Sequence, residues 1–167
     1  MIFKISIFIN SSKKEAHNMA NTFVQINVHI IFHVKSTGIA MRTEDMSRIF
    51  EYIGGIIKGL GSFPMAIGGI SDHIHILSTL PKTISIADYV RNIKTDSSKW
   101  IKTLDSNYSF FAWQDGYAAF SVSPSMLNAT KSYIFNQAVH HSNRSFEDEY
   151  KAFLSKYGLK FDEKYLF

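Results

Sequence analysis

Cysteine is absent from this chain of 167 residues, proline occurs three times, and charged residues make up 19% of the sequence. The absence of cysteine excludes disulfide bonds, thiolate metal sites and cysteine nucleophiles, and it is typical of proteins from a reducing compartment. No stretch approaches 18 consecutive apolar residues, so we expect no membrane span and a cytoplasmic location.

The length and composition suit one globular domain with a sizeable core, since 46% of the residues are hydrophobic. A net charge of +4 leans mildly towards a polyanionic partner. Residues 1–18 combine a short apolar run with SSKKEAHN, and we expect them to be a poorly ordered extension. Residues 19–167 are expected to form a single domain, because no repeat or low-complexity tract divides them.

The clearest strand signal covers residues 22–34, where apolar and polar residues alternate with a period of two. Such alternation predicts a sheet with one packed face and one available face. The available face would carry polar side chains suited either to nucleic acid or to plain solvent exposure. Its members before the next turn are Gln25, Asn27, His29 and His33.

Four segments predict helices, because in each a capping residue or a first-position proline precedes apolar residues at 3.6-residue spacing. These helices are expected to start at Thr43, Ser85, Ser123 and Ser145, and the third to reach about His141. Further strands are expected at 63–70, around 73–77 and at 117–122. This order predicts an α+β fold of the ferredoxin-like (RRM-like) type. Its antiparallel sheet would carry two helices on one face, leave the other face free for chemistry, and be followed by added C-terminal helices.

Two histidines mark the central strand, in the stretch Asp72-His73-Ile74-His75-Ile76-Leu77. Residues two apart on a strand share a face, with α-carbons roughly 6.5–7 Å apart. His73 and His75 can therefore converge on one cation. The alternative is two surface histidines on the wet face of the strand.

Two further polar residues, Tyr133 and Gln137, lie four apart on the third predicted helix and so share a face. A tyrosine hydroxyl is a weak nucleophile at neutral pH, but it becomes useful when a metal ion polarises its phosphorus target. The alternative is a packing tyrosine beside an exposed glutamine.

Basic residues follow the outer face of the second predicted helix. Such a face is usually solvated, but it can also hold phosphates. The residues concerned are Arg91, Lys94, Lys99 and Lys102.

Together these motifs resemble the single-tyrosine HUH transposases of the insertion sequence 200/605 type, including the repeat-associated (REP-associated) tyrosine transposases. The resemblance covers nearly everything after Met19 and rests on motifs in the family's order. They are the strand to Phe32, the Asp-His-x-His block, Lys94-Thr95-Asp96-Ser97-Ser98-Lys99-Trp100, Trp113-Gln114-Asp115-Gly116-Tyr117, Phe120-Ser121-Val122-Ser123, Tyr133-Ile134-Phe135-Asn136-Gln137 and Ser145-Phe146-Glu147.

By this resemblance, His73, His75 and Gln137 bind a divalent metal ion, Mg²⁺ or Mn²⁺, and Tyr133 is the nucleophile. The implied reaction cleaves and rejoins single-stranded DNA through a 5′-phosphotyrosine, on element ends that bear hairpins. The family also implies a homodimer with sites shared between subunits. DNA contacts are expected from the polar strand face, from the segment after it and from the basic helix: Gln25, Asn27, His29, Lys35, Arg91, Lys94, Lys99 and Lys102.

The segment after the first strand departs from the family pattern, since His33-Val34-Lys35-Ser36-Thr37-Gly38 replaces a Lys/Arg-rich stretch. His140 and His141 form a second possible ligand pair, which we rank lower because neighbouring helix residues point about 100° apart. The main alternative function is a non-catalytic module on the same fold that binds single-stranded nucleic acid by aromatic stacking.

Overall fold

A four-stranded antiparallel sheet organises the chain in the computed structural model, which describes residues 22–36, 38–137 and 145–162. The predicted extension, residues 1–18, lies outside the described residues. The elements are β1 (Asn27–His33), α1 (Thr43–Gly59), β2 (Pro64–Gly69), β3 (His73–Thr79), α2 (Ile86–Ile101), β4 (Ala118–Ser121), α3 (Leu127–Phe135) and α4 (Phe146–Lys156). The strand order in the sheet is β2-β3-β1-β4. The predicted ferredoxin-like α+β order is confirmed.

Helices α1 and α2 bury their apolar stripes against one face of the sheet. Ile49, Ile53 and Ile57 of α1 are fully buried in a single core with residues of β1 and β3. Trp113 completes this core: its ring meets Phe32 edge-on, with centroids 4.9 Å apart, and its indole N–H donates to Ser97. Within the described residues, no helix is long and apolar enough to cross a membrane.

The predicted helix starts are largely correct. Ser85 and Ser145 each accept a hydrogen bond from the backbone N–H three residues later, which satisfies a donor that the first turn leaves unpaired. Thr43 is instead the first residue of α1, and Arg42 occupies the capping position without a side-chain cap. The third helix is preceded by a short 3₁₀ turn, and its predicted end near His141 lies outside the described residues.

The second face of the sheet is covered, so the prediction of a face left free for chemistry is wrong. The strand begins only at Asn27, and every residue of β1 is buried. Helix α4 places Tyr150 and Leu154 against Ile31 and Phe120, because its own apolar stripe also needs burial. Asn27 and His29, which we predicted to be DNA contacts, are enclosed beneath this second layer.

Gly68 sets how closely α3 approaches the sheet. A methyl group at this position would lie 2.5 Å from the Ile134 carbonyl oxygen of α3 and 3.0 Å from its Cγ2 atom. Gly68 is paired with His75 in the sheet register, so α3 packs next to the central strand only because no side chain intervenes.

Gly68→Ala is therefore expected to lower the free energy of unfolding by about 1–3 kcal/mol, the usual cost of overpacking. Urea denaturation measures it. Gly55→Ala is the matched control, since nothing lies within 4 Å of its added methyl group, and on helix α1 it should stabilise by about 0.5–1 kcal/mol. An equal effect of the two substitutions would contradict the close approach of α3.

Candidate metal centre and active site

His73 and His75 of β3 both point into the layer between the sheet and the two C-terminal helices, and both are fully buried. The alternative of two surface histidines is therefore wrong. His73 Nδ1 lies 2.7 Å from Asp72 Oδ1. Because the carboxylate accepts the Nδ1 proton, the lone pair of His73 Nε2 is directed into the protein.

Gln137 follows α3 and reaches the same point. Its Oε1 atom lies 3.3 Å from His73 Nε2, and its amide nitrogen donates to Glu149 Oε1 at 3.3 Å. The side chain is buried; its amide nitrogen is held by the hydrogen bond to Glu149, and its oxygen faces the lone pair of His73 Nε2. The structure thus brings together His73, His75 and Gln137, as the sequence predicted.

Glu149 of α4 is a member of this cluster that the sequence analysis missed. Its Oε2 atom lies 3.7 Å from His73 Nε2 and 3.6 Å from His75 Nε2. The signal that would have found it is position: Glu149 stands in the apolar stripe of α4, between Phe146 and Phe153. An acid at a buried helix position is rare unless it is paired or binds a cation.

The pKa of Glu149 is raised to about 7: burial is the largest cause, His73 opposes the shift, and the nearby Asp72 carboxylate adds to it. Without a positive partner, Glu149 is therefore protonated more readily than an ordinary glutamate. A bound cation would oppose this shift, because it stabilises the ionised carboxylate.

His29 orients the second imidazole. Its Nε2 atom lies 3.0 Å from His75 Nδ1. Burial, with a contribution from His75, moves the pKa of His29 well below its ordinary value, so His29 is neutral and can accept the Nδ1 proton of His75. His75 Nε2 then directs its lone pair towards Glu149. His29 is thus a buried support for His75, and it also borders the neighbouring pocket; its predicted DNA contact stays a prediction.

The donor set fits a divalent cation. The nitrogens of His73 and His75 and an oxygen of Glu149 all lie within 4.8 Å of one another. Imidazole nitrogen and carboxylate oxygen bind such ions at about 2.0–2.2 Å, so two ligand atoms on one ion lie roughly 3–3.6 Å apart. The observed separations of 3.3 to 3.7 Å between His73, Gln137 and Glu149 are close to this requirement.

Tyr133 of α3 lies beside the cluster, between it and a pocket. Its ring centroid is 5.7 Å from that of His75, 6.3 Å from His29 and 5.6 Å from Phe153. The pocket has a volume of about 580 Å³ and is bordered by both Tyr133 and Glu149. One chain supplies the tyrosine, both histidines and Gln137, so the cluster assembles without a second subunit.

The remaining predicted DNA contacts have different environments. Gln25 and Lys35 are exposed at the two ends of β1, and Lys99 and Lys102 are exposed on and just after α2. Arg91 is exposed and pairs with Asp88 at 2.6 Å.

Lys94 is already engaged within the protein, in contrast to these exposed residues. It donates to the carbonyl oxygens of Gln114 and Gly116 at 2.5 and 2.8 Å, and burial lowers its pKa. His140 and His141, the lower-ranked pair, lie outside the described residues.

Comparison with known proteins bears on this arrangement. Residues 22–137 match the family model described as "Transposase IS200 like". The fold is similar to that of a candidate transposase from Deinococcus radiodurans R1, with a TM-score of 0.55 and 19% identity over 71% of this chain and 95% of that one. It is also similar to a REP-associated tyrosine transposase bound to a REP hairpin, with a TM-score of 0.54 and 14% identity over 73% of this chain and 72% of that one. Among curated protein sequences, none matches this chain significantly.

Proposed function

Because this chain belongs to the IS200-like transposase family, we propose that it cleaves and rejoins single-stranded DNA through a 5′-phosphotyrosine on Tyr133. The observation that carries the proposal is the position of Tyr133. Its ring packs against His75 at 5.7 Å, and His75 belongs to a buried cluster of cation-binding groups. A packing tyrosine would not need two histidines, a glutamine and a glutamate buried at its side.

Several residues orient the groups that would bind the cation. Asp72 fixes the ring of His73 and His29 fixes that of His75, so both Nε2 atoms face Glu149. Gln137 bridges His73 and Glu149. A divalent cation bound by these groups would supply Lewis-acid polarisation of a phosphate oxygen and neutralise its charge. Imidazole ligands favour Mn²⁺, whereas Mg²⁺ prefers oxygen.

Tyr133 then acts as the nucleophile in two steps. Its hydroxyl oxygen attacks the scissile phosphorus in line, the bond from phosphorus to the 3′-oxygen breaks, and the phenol proton ends on the departing 3′-hydroxyl. A 3′-hydroxyl from the same or another strand reverses the step and releases Tyr133. The phosphodiester bond energy is kept in the tyrosyl ester, so no nucleoside triphosphate is consumed.

The solved hairpin complex of the structural neighbour supports hairpin-bearing ends as the substrate class. Exposed Gln25, Lys35, Arg91, Lys99 and Lys102 remain our candidates for backbone contacts. Homodimerisation also remains a prediction. Since Tyr133 and the histidines come together within one chain, a dimer would not be required to complete the cluster.

The test is to incubate the full chain with radiolabelled single-stranded element ends that contain a hairpin, with Mn²⁺ or Mg²⁺. We expect a protein–DNA adduct that survives denaturing electrophoresis and is lost when EDTA removes the cation. DNA binding that persists in EDTA, without any adduct, would support the non-catalytic binding module instead.

A further inference from the structure

A pocket lies beside Tyr133 and Glu149, next to the cation cluster. From its position and lining we infer that it binds one unpaired nucleotide next to the scissile phosphate, an inference that rests on the proposed function. Its volume of about 580 Å³ lies within the range of roughly 300–1,000 Å³ that small ligands occupy. It suits one nucleotide better than a base pair.

The location of the pocket ties it to the reacting phosphate. Ala129, Thr130 and Tyr133 border it from α3, Met126 from the turn before α3, and Glu149 from α4. Tyr133 and Glu149 thus belong both to the pocket wall and to the candidate active site. A phosphate held beside Tyr133 at the cluster would therefore place its attached nucleotide next to this pocket.

Aromatic side chains provide a stacking surface within the pocket. Phe153 and Tyr157 both line it, and both stack on Phe120, with centroids 5.6 and 4.2 Å away and interplanar angles of 23°. Tyr157 is 43% exposed and Met126 is 49% exposed, so part of this apolar surface faces solvent. Stacking of a base on such a surface is worth about 1–3 kcal/mol.

Polar groups complete the match to a nucleotide. Ser121, Ser123 and Thr130 are hydroxyl-bearing residues of the lining, and Lys156 adds a basic residue at the end of α4. Hydroxyls can donate to or accept from base edges, and a lysine ammonium is suited to phosphate. A purely apolar ligand would leave these polar groups without a partner in the pocket.

The experiment uses the full chain with ¹³C-methyl-labelled methionine and Mn²⁺-free buffer. Each of the four deoxynucleoside 5′-monophosphates is titrated in turn, together with deoxyadenosine. The Met126 methyl resonance is expected to shift and saturate through the ring current of the bound base, while that of buried Met41 stays in place. A Met126 resonance that no nucleotide moves at millimolar concentration overturns the inference.

Two variants make the test specific. Ala129→Trp fills the pocket from the exposed face of α3 and should weaken nucleotide binding at least tenfold, whereas Asn128→Trp, on the same helix but outside the lining, should leave it within twofold. Lys156→Gln should weaken dAMP about fivefold and leave deoxyadenosine unchanged, whereas exposed Lys58→Gln on α1 should alter neither. Unaltered binding in both Ala129→Trp and Lys156→Gln places the nucleotide elsewhere and overturns the inference.

Failure of the inference is distinguishable from failure of the proposed function. If wild type forms the covalent adduct and Ala129→Trp forms it equally well from short oligonucleotides, the function stands and the pocket assignment is wrong. If the Met126 shift occurs and is lost in Ala129→Trp but wild type forms no adduct, the nucleotide pocket is supported and the strand-transfer chemistry is not.

Discussion

Replacing Tyr133 with phenylalanine is expected to abolish the covalent protein–DNA adduct, lowering its rate of formation by about 10⁴-fold or more, as removal of a nucleophile does in other enzymes. The reason is that phenylalanine keeps the ring that packs against His75, His29 and Phe153 and removes only the attacking oxygen. The measurement is adduct yield over time, with radiolabelled DNA and denaturing electrophoresis. The free energy of unfolding should change by less than about 1 kcal/mol, because no ring contact is lost.

Tyr157→Phe is the matched control for that substitution. Tyr157 lines the same pocket as Tyr133, and its ring stacks on Phe120, so each variant loses one phenol oxygen from a residue of that lining. We expect the adduct to persist in Tyr157→Phe. Loss of the adduct in Tyr157→Phe but not in Tyr133→Phe would move the nucleophile to α4 and refute the mechanism proposed for α3.

The α+β fold was predictable because its signals are local. Alternation through Val28, Ile30 and Phe32 specifies which side of β1 meets α1 and α2, and both helices carry a stripe at 3.6-residue spacing. Serine caps at Ser85 and Ser145 mark two helix starts to the residue. Each of these features depends only on residues close together in the sequence, within one helix or strand. It can therefore be predicted from the sequence alone.

The second face of the sheet was mispredicted because its polar residues are satisfied by distant partners. Asn27 donates to the carbonyl oxygen of Val122, 95 residues later, and His29 meets His75, 46 residues later. Viewed within β1 alone, Asn27, His29 and His33 have the pattern of a solvated face. The helices α3 and α4 cover this face, while the hydrogen-bond partners that burial requires come from the neighbouring strands: His75 lies on β3 and Val122 directly follows β4.

Part of the site was predictable for the same local reason, and part was not. His73 and His75 share a strand face, and Gln137 follows Tyr133 by one helical turn. Spacing therefore indicates two pairs, and the family resemblance joins them into one predicted site. Glu149 joins the cluster only because α4 packs against the sheet and brings its carboxylate close to His73 and His75. Its place in an apolar stripe was visible, but the identity of its partners depends on how that helix lies over β3.

Removing the imidazole of His73 is expected to lower the affinity for Mn²⁺ by about 100-fold or more, since changes to groups that merely support ligands already cost 10–100-fold. His73 contacts Gln137 at 3.3 Å and Glu149 at 3.7 Å, so His73→Ala takes away a ligand from the centre of the set. Isothermal titration calorimetry of the full chain with MnCl₂ measures the change. Glu149→Gln should weaken binding less, because the amide keeps an oxygen donor while the charge is lost.

His33→Ala is the control for losing a buried imidazole from the same layer. His33 is buried and stacks edge-on against Phe146, but it is not one of the grouped ligands, so Mn²⁺ affinity should stay within about threefold of wild type. A second readout separates binding from folding. Mn²⁺ at 100 times its dissociation constant should stabilise wild type by about 2.7 kcal/mol, and this stabilisation should vanish in His73→Ala and persist in His33→Ala. If His73→Ala retained both the affinity and the stabilisation, the histidine pair would be a structural feature of the buried layer and the cation would have to bind elsewhere.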